Sequence, residues 1–256
     1  MALANIDYTQ HNLNTGLKLF KQRGVDAVYK EIKQLDHMDV CDPVSPKYMT
    51  PLERKRALNY YMFLKEKRDG KIKARGCADG RSQRAYTSKE ETSSPTVAVE
   101  SLMISCCIDA LEGRDVATVD IPGAFMQTKQ EGTVHVKLEG VMVELLLKAR
   151  PGKYDKHVQY FKGKPYLYTR LKKALYGTLK GALLFWKNLT NKLKSWGYVV
   201  NPYDWCVANK TINGKTCTIV WHVDDLKISH EDDKVVSSVI DNLKSEYGKY
   251  SDLTVN

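Results

Sequence analysis

The sequence lacks any apolar run of about 18 residues, the length that a membrane-spanning helix needs. Its first dozen residues include the polar residues Asn5, Asp7 and Gln10 and do not form the apolar segment of a signal peptide. These absences predict an intracellular protein, in the cytoplasm or the nucleus, that is neither secreted nor bound to a membrane.

Two further classes of site are missing from the sequence. The six cysteines include no Cys-x-x-Cys pair and the six histidines are scattered, which argues against a structural zinc site. The adjacent Cys106 and Cys107 cannot easily form a disulfide with each other, so reduced and mostly buried thiols are expected. There is no glycine-rich phosphate loop with P-loop spacing.

The charge that is present is mainly positive, with a formal net charge of +10 and a pI near 9.1. This balance favours a polyanionic partner such as nucleic acid. The most basic stretch runs from Arg54 to Lys89 and could grip phosphates and stack bases. A solvated basic face is the alternative. The aromatic residues between its lysines and arginines are Tyr60, Tyr61, Phe63 and Tyr86.

An adjacent pair of carboxylates, Asp224 and Asp225, lies between two strand-like apolar runs, 218–223 and 226–229. Two like charges at a hairpin tip gain nothing structurally, but a divalent cation would change this because Mg²⁺ prefers carboxylate oxygens. The pair therefore points to phosphoryl-transfer chemistry. The simpler interpretation is a solvated acidic turn.

A third carboxylate ends another predicted strand. Residues Asp115–Ile121 are rich in β-branched side chains, include Asp120, and are followed by Pro122 and Gly123, which cannot continue a strand. Asp120 thus lies at a strand end, as Asp224 and Asp225 do.

Apolar spacing predicts the helices. Residues spaced by four and three predict a helix of about six turns from Leu175 to Trp196, with Gly197 ending it. A second amphipathic helix covers Val235–Leu243, and a helix after Pro95 has its apolar side predicted at Val99, Leu102, Met103 and Cys106. Further predictions are a hairpin around Lys162–Pro165, a strand around Trp205–Ala208 and a hairpin turn at Asn213-Gly214.

The order of these elements predicts an α+β fold with a split β-α-β-β-α-β antiparallel sheet and helices on one face. In such a sheet the first strand neighbours the later hairpin, which would bring Asp120 beside Asp224. Three carboxylates on an open sheet face could hold two metal ions roughly 3.5–4 Å apart for displacement at phosphorus.

Four separated motifs resemble, in the same order, those of the reverse transcriptase of copia-type long-terminal-repeat retrotransposons. The resemblance extends from about Lys30 to about Tyr247 and implies reverse-transcriptase-like fingers and palm. The four motifs are Phe63–Gly80, Thr118–Phe125, Lys173–Gly177 and His222–Asp225.

The resemblance implies a role for each acidic residue. Asp120 would be the first metal ligand, with the Ile121 carbonyl as a backbone ligand, and Asp224 and Asp225 would be the acidic pair of the palm. The implied cofactors are two Mg²⁺ or Mn²⁺ ions.

It also implies the nucleotide site. Lys73 and Arg75 would bind the triphosphate, Phe125 would lie beneath the incoming sugar and exclude ribonucleotides, and Tyr176 and Gly177 would contact the nucleotide and template. The alternative for Phe125 is a core residue. The basic residues expected to contact nucleic acid are Lys65, Lys67, Arg68, Lys71 and Arg81.

The sequence departs from the family pattern at His222, where tyrosine or phenylalanine is usual, and at Gly181, where a larger residue is expected in a helix. The expected organisation is a connector over 1–26, fingers over 27–114, a palm over 115–250 and a short end over 251–256 without the family's thumb and ribonuclease H. That end indicates a domain, a fragment of a polyprotein or a decayed element.

The function implied is RNA-directed DNA synthesis, in which a primer 3′ hydroxyl attacks the α-phosphate of a deoxynucleotide. The expected partners are an RNA template, a DNA primer, dNTP and other parts of a retrotransposon polyprotein. Two alternatives stay open: a catalytically silent nucleic-acid-binding remnant and a metal-dependent nuclease.

Overall fold

The computed structural model describes residues 10–256 of the 256-residue chain. The first nine residues of the predicted connector, with Asn5 and Asp7, lie outside the described residues. Within 10–256, no helix is long and apolar enough to cross a membrane.

Helices and strands alternate along the described chain, and the mixed α+β class is confirmed. The helices are α1 Leu13–His37, kinked at Lys21, α2 Pro51–Arg56, α3 Val99–Glu112, α4 Val141–Ala149, α5 Gly181–Ser195 and α6 Asp233–Tyr247. The strands are β1 His11–Asn12, β2 Cys41–Val44, β3 Leu58–Glu66, β4 Ile72–Ala78, β5 Asp115–Asp120, β6 His135–Glu139, β7 Gln159–Phe161, β8 Lys164–Leu171, β9 Val199–Val200, β10 Val207–Ile212, β11 Lys215–His222, β12 Asp225–His230 and β13 Thr254–Val255.

The chain forms two compact units, and each is built from two separate stretches. Unit 1 takes the chain up to Ser88 together with Lys129–Gly181, and unit 2 takes Lys89–Thr128 together with Ala182–Asn256. These limits differ from the predicted fingers and palm ranges, because residues 129–181 belong to unit 1. Helix α1 also begins at Leu13, within the predicted connector.

Unit 1 contains a sheet in the order β1-β3-β6-β8-β2, with β4 added to β3 and β7 added to β8. Its inner face is apolar, since alternate residues of the paired strands β6 and β8 are buried. Helix α1 packs on β3, β4 and α4 and contributes Val28, Ile32 and Leu35 to the core.

Unit 2 contains a sheet in the order β13-β5-β12-β11-β10-β9. One face forms the core, because Val119 of β5 lies opposite Leu226 of β12, and Ala117 lies opposite Ile228, all buried. The other face carries the polar residues of the same strands. This alternation places the carboxylates outside the core.

Two predicted hairpin turns are confirmed. Lys162 and Gly163 join β7 to β8 with φ of 48° and 76°, and Asn213 and Gly214 join β10 to β11 with φ of 53° and 78°. Both residues of a type I′ turn need positive φ, which asparagine and glycine tolerate. The strand expected around Trp205–Ala208 instead begins at Val207.

The long helix from Leu175 to Trp196 is shorter than predicted. Helix α5 begins at Gly181, so this glycine starts the helix rather than weakening its interior. The reason is Gly177, whose φ of 86° is left-handed and ends any continuous helix there. Gly197, with φ of 86°, follows the helix as predicted.

The predicted apolar side of α3 is wrong. The helix is present, but Val99 is 71% exposed and Met103 is 58% exposed. The residues that α3 buries are Ser105 and Asp109. They are buried because they meet a charged residue of the sheet, described below, so polar partners rather than apolar spacing orient this helix.

Candidate active site

Two of the three predicted carboxylates, Asp120 and Asp225, are paired at one end of the unit 2 sheet. Asp225 lies directly opposite Asp120 across the antiparallel β12–β5 pair, and His222 lies opposite Asp225 on its other side. Residues opposite each other in such a pair have Cα atoms about 4.5–5.5 Å apart. His222, Asp225 and Asp120 therefore form a row across three strands, and we call its two carboxylates, Asp120 and Asp225, the acidic row. Asp225 is exposed and Asp120 is half-buried.

The turn before Asp225 is tight. Val223 has φ of 61°, a left-handed conformation that a β-branched residue rarely adopts, and such strain is most often found at functional sites. The Asp224 carbonyl accepts a hydrogen bond from the Ile121 backbone N–H at 3.1 Å. This bond ties the turn to the end of β5. Asp224 is thus fixed beside the row, while Asp225, not Asp224, is the strand partner of Asp120.

A buried ion pair that sequence analysis missed lies on the same sheet face. Lys227, two residues after Asp225, bonds through Nζ to Asp109 of α3 and donates to Ser105 Oγ at 2.6 Å. The Lys227 and Asp109 side chains are only 11% and 7% exposed. The pair attaches α3 to β12 directly behind the acidic row.

Asp120 and Asp225 are the candidate ligands for a divalent ion. Within residues 10–256, no group of three or more His, Cys, Asp or Glu side chains has the arrangement of a metal site. The three carboxylates therefore do not supply a complete protein ligand set. Mg²⁺ is commonly held by one or two carboxylates together with substrate phosphates, and the paired Asp120 and Asp225 fit that donor set.

Phe125, the predicted sugar gate, lies in the turn after β5 and is 8% exposed. Its ring centroid is 6.2 Å from that of Phe185 in α5, which is itself 6.2 Å from that of Tyr247 in α6. These three rings form part of the apolar core of unit 2. The packing matches the alternative considered for this residue, that of a core side chain.

The predicted triphosphate ligands lie in unit 1 on the β3–β4 hairpin. Lys73 is opposite Lys65, and Arg75 is opposite Phe63, so strand alternation puts all four on one face. They line a cavity of about 390 Å³ in unit 1. The other residues around this cavity are Gln10, Glu66, Lys67 and Arg68. The structure thus gathers two predicted groups, for nucleotide and for nucleic acid, at one basic cavity.

Two basic residues lie elsewhere. Lys71 is at the hairpin tip beside Asp69, at 3.4 Å, and Arg81 forms a two-pronged ion pair with Asp79, with N–O distances of 2.8 and 2.7 Å. The hydrogen bonds from Arg81 hold the pKa of the Asp79 carboxyl below its usual value. Tyr60, expected on the basic surface, is 3% exposed and belongs to the core.

The Tyr176–Gly177 turn is fastened to β4. The Ala78 backbone N–H donates to the Tyr176 carbonyl at 2.8 Å, and a Cβ at Gly177 would lie 2.0 Å from the Ala78 carbonyl oxygen. The Gln83 side chain, which is buried, accepts from the Leu179 N–H at 2.9 Å. Sequence analysis gave no signal for Gln83. Glycine is required at 177 by both φ and space.

Comparison with known proteins decides the family. A family profile described as reverse transcriptase (RNA-dependent DNA polymerase) matches residues 48–255, well over half of the chain. The chain belongs to the reverse transcriptase family. The match spans both units, from the segment before α2 to β13. It includes Asp120 and Asp225 and the β3–β4 hairpin with its lysines and arginines.

The relatives of this reverse transcriptase chain include two polyproteins of Saccharomyces cerevisiae. The truncated transposon Ty1-A Gag-Pol polyprotein is 25% identical over 229 residues, covering 89% of this chain and 17% of the relative. The transposon Ty1-DR5 Gag-Pol polyprotein is also 25% identical over 229 residues, covering 89% of this chain and 12% of the relative. The chain therefore spans less than a fifth of these curated relatives. Together with the profile, they identify a copia-type retrotransposon reverse transcriptase.

Proposed function

We propose that this chain is the part of a retrotransposon polyprotein that copies an RNA template into DNA from a primer 3′ hydroxyl and dNTP. The observation that carries the proposal is the register that pairs Asp225 with Asp120 at the open end of the sheet. We assign this sheet to the palm, with the split β-α-β-β-α-β arrangement, and the β3–β4 hairpin to the fingers.

Asp120, Asp224 and Asp225, with the Ile121 carbonyl, would hold two Mg²⁺ or Mn²⁺ ions. When bound, such ions lower the pKa of the attacking hydroxyl and neutralise the triphosphate. The strained Val223 turn and the Ile121–Asp224 hydrogen bond position the acidic residues before substrate arrives.

The basic residues neutralise the substrates. Lys73 and Arg75 would bind the triphosphate, and Tyr176 and Gly177 would contact the nucleotide and template. Because charge-assisted contacts with phosphate depend on counterion release, binding of template and primer is expected to weaken with salt. The residues proposed to contact nucleic acid are Lys65, Lys67, Arg68, Lys71 and Arg81.

Primer extension on an RNA template with Mg²⁺ or Mn²⁺ tests the proposal. Asp120→Asn and Asp225→Asn should each abolish extension, because the amide keeps the volume but loses the charge. Asp115→Asn is the matched control, since Asp115 is an exposed carboxylate at the other end of β5. It should extend normally.

The same samples separate the alternatives. Wild-type chain that binds template-primer without extending it would favour a silent binding remnant. Metal-dependent shortening of a labelled strand, lost in the Asp225→Asn variant, would favour a nuclease. Extension by both Asn variants, with thermal transitions unchanged, would remove the acidic row from the mechanism.

A further inference from the structure

The outer face of the unit 1 sheet carries three aromatic rings. Tyr166 and Tyr168 are two residues apart on β8 and so lie on one face of the strand. Phe161 on β7 pairs with Lys164, which lies on that same face of β8. The intervening Leu167 and Thr169 point into the core, with exposures of 0% and 1%. Phe161, Tyr166 and Tyr168 therefore share the side of the sheet away from the core, which we call the ring face; Phe161 is exposed there, and Tyr166 and Tyr168 are half-buried.

Two of these rings pack against each other edge to face, which holds both side chains in place. The centroids of Tyr166 and Tyr168 are 5.9 Å apart, with an interplanar angle of 86°. Phe161 is 67% exposed at the end of the hairpin, where folding alone would not favour a large apolar ring. Aromatic residues at alternate positions on an open sheet face are a common platform for unpaired bases.

Cations surround these rings. Lys137 Nζ lies 4.9 Å from the Tyr166 centroid, and the Glu139 carboxylate accepts bonds from Lys137 and Lys164 at 2.7 and 2.8 Å. Arg170 is exposed. The cations Lys137, Lys164 and Arg170 outnumber the carboxylates Glu139 and Asp42 on this side of the sheet, and Lys162 Nζ lies 5.6 Å from the Phe161 centroid.

We propose that the ring face binds single-stranded RNA, with bases stacked on Phe161, Tyr166 and Tyr168 and phosphates paired with Lys164 and Arg170. Rings can stack only on unpaired bases, and the positive excess selects a polyanion over an apolar protein surface. The choice of RNA rests on the proposed function, in which the template must be held as a single strand before it is copied.

The direct test measures the binding of a fluorescein-labelled oligouridylate of about 12 nucleotides to the full chain. Fluorescence anisotropy reports the binding, in a buffer with EDTA and without dNTP. Phe161→Leu and Tyr168→Leu should each raise the Kd at least about fivefold, since a stacked base loses its aromatic partner. Phe161 is largely exposed, so its substitution should leave the fold intact.

Tyr160→Leu is the matched control. Tyr160 is 70% exposed and lies next to Phe161, but it pairs with Pro165 and so belongs to the opposite face of the same hairpin. Its substitution should change the Kd less than twofold. Arg170→Glu should weaken binding and reduce its dependence on salt.

The outcomes separate this site from the polymerase proposal. The ring face would be overturned as an RNA site if Phe161→Leu and Tyr168→Leu both bind RNA with the wild-type Kd. It would also be overturned if Phe161→Leu and Tyr160→Leu lose the same affinity. Both conclusions hold whatever the primer-extension result. A change in oligomeric mass instead of RNA affinity would also overturn it, in favour of a protein interface. If Phe161→Leu and Tyr168→Leu lose RNA affinity while even the wild type fails to extend a primer, the ring face is supported and the polymerase proposal is not.

Discussion

Replacing Phe125 with alanine distinguishes a core residue from a sugar gate. Phe125 is 8% exposed and its ring packs against Phe185, which packs against Tyr247. Removing a ring from such a position costs about 3–5 kcal/mol, from the lost transfer free energy and the cavity that remains. Typical domains have only about 5–15 kcal/mol of stability, so the loss is a large fraction of the total.

The loss can be measured by urea unfolding and by a lower thermal transition, at roughly 2–4 °C per kcal/mol for a chain of this size. Sugar choice is measured in Phe125→Leu, which keeps more of the apolar volume and should remain folded. We expect Phe125→Leu to select dNTP over rNTP as the wild type does. A Phe125→Ala chain that loses less than about 1 kcal/mol and incorporates ribonucleotides would refute the core reasoning.

Three other predictions concern the stability of the fold around Lys227, Gly177 and Glu31. Asp109→Ala leaves the Lys227 ammonium buried without its carboxylate, so the free energy of unfolding in urea should fall by about 3–5 kcal/mol. Adding Lys227→Met to the same chain should restore most of that stability, and no restoration would contradict the pairing. Gly177→Ala should destabilise the chain clearly more than Gly163→Ala, because both glycines have positive φ but a Cβ meets backbone only at Gly177; equal losses would contradict this. Burial raises the pKa of Glu31 above 4.5, so its contribution to stability is present below about pH 4.5 and is lost as the pH rises through the folded-state value. Unfolding free energies between pH 4 and pH 8 should show Glu31→Gln gaining on the wild type as the pH rises, and a constant difference would refute the assignment.

Local sequence patterns predicted the elements whose signals are local. The Asn213-Gly214 turn and helix α6 follow from residues a few positions apart. The strand ends at Asp120 and Asp225 followed from β-branched runs and their interruption. Their lateral pairing required a topology, which the order of the elements predicted, but that order put Asp224 beside Asp120, whereas the register pairs Asp120 with Asp225.

Tertiary partners decided the features that sequence analysis missed. A lysine within β12 and an aspartate within α3 each resemble a solvated charge until the fold buries them together, as Lys227 and Asp109 are buried. The apolar spacing from Leu175 continues through Gly177, so periodicity gave no sign of the break. For Phe125 the sequence left two interpretations, a sugar gate and a core residue, because its environment depends on α5 and α6, which are distant in sequence.

The division of each unit into two stretches affects how the chain can fold during synthesis. Unit 1 is interrupted after Ser88 by about 40 residues of unit 2, and its own second stretch ends at Gly181. Neither unit can complete its sheet from a contiguous nascent segment, because strand β6 follows β5, and β5 must wait for β12. Domains that fold one after another on the ribosome lack this constraint. Cutting the chain between Thr128 and Lys129 would give two fragments that each hold part of both units, so folding must proceed by association of distant segments.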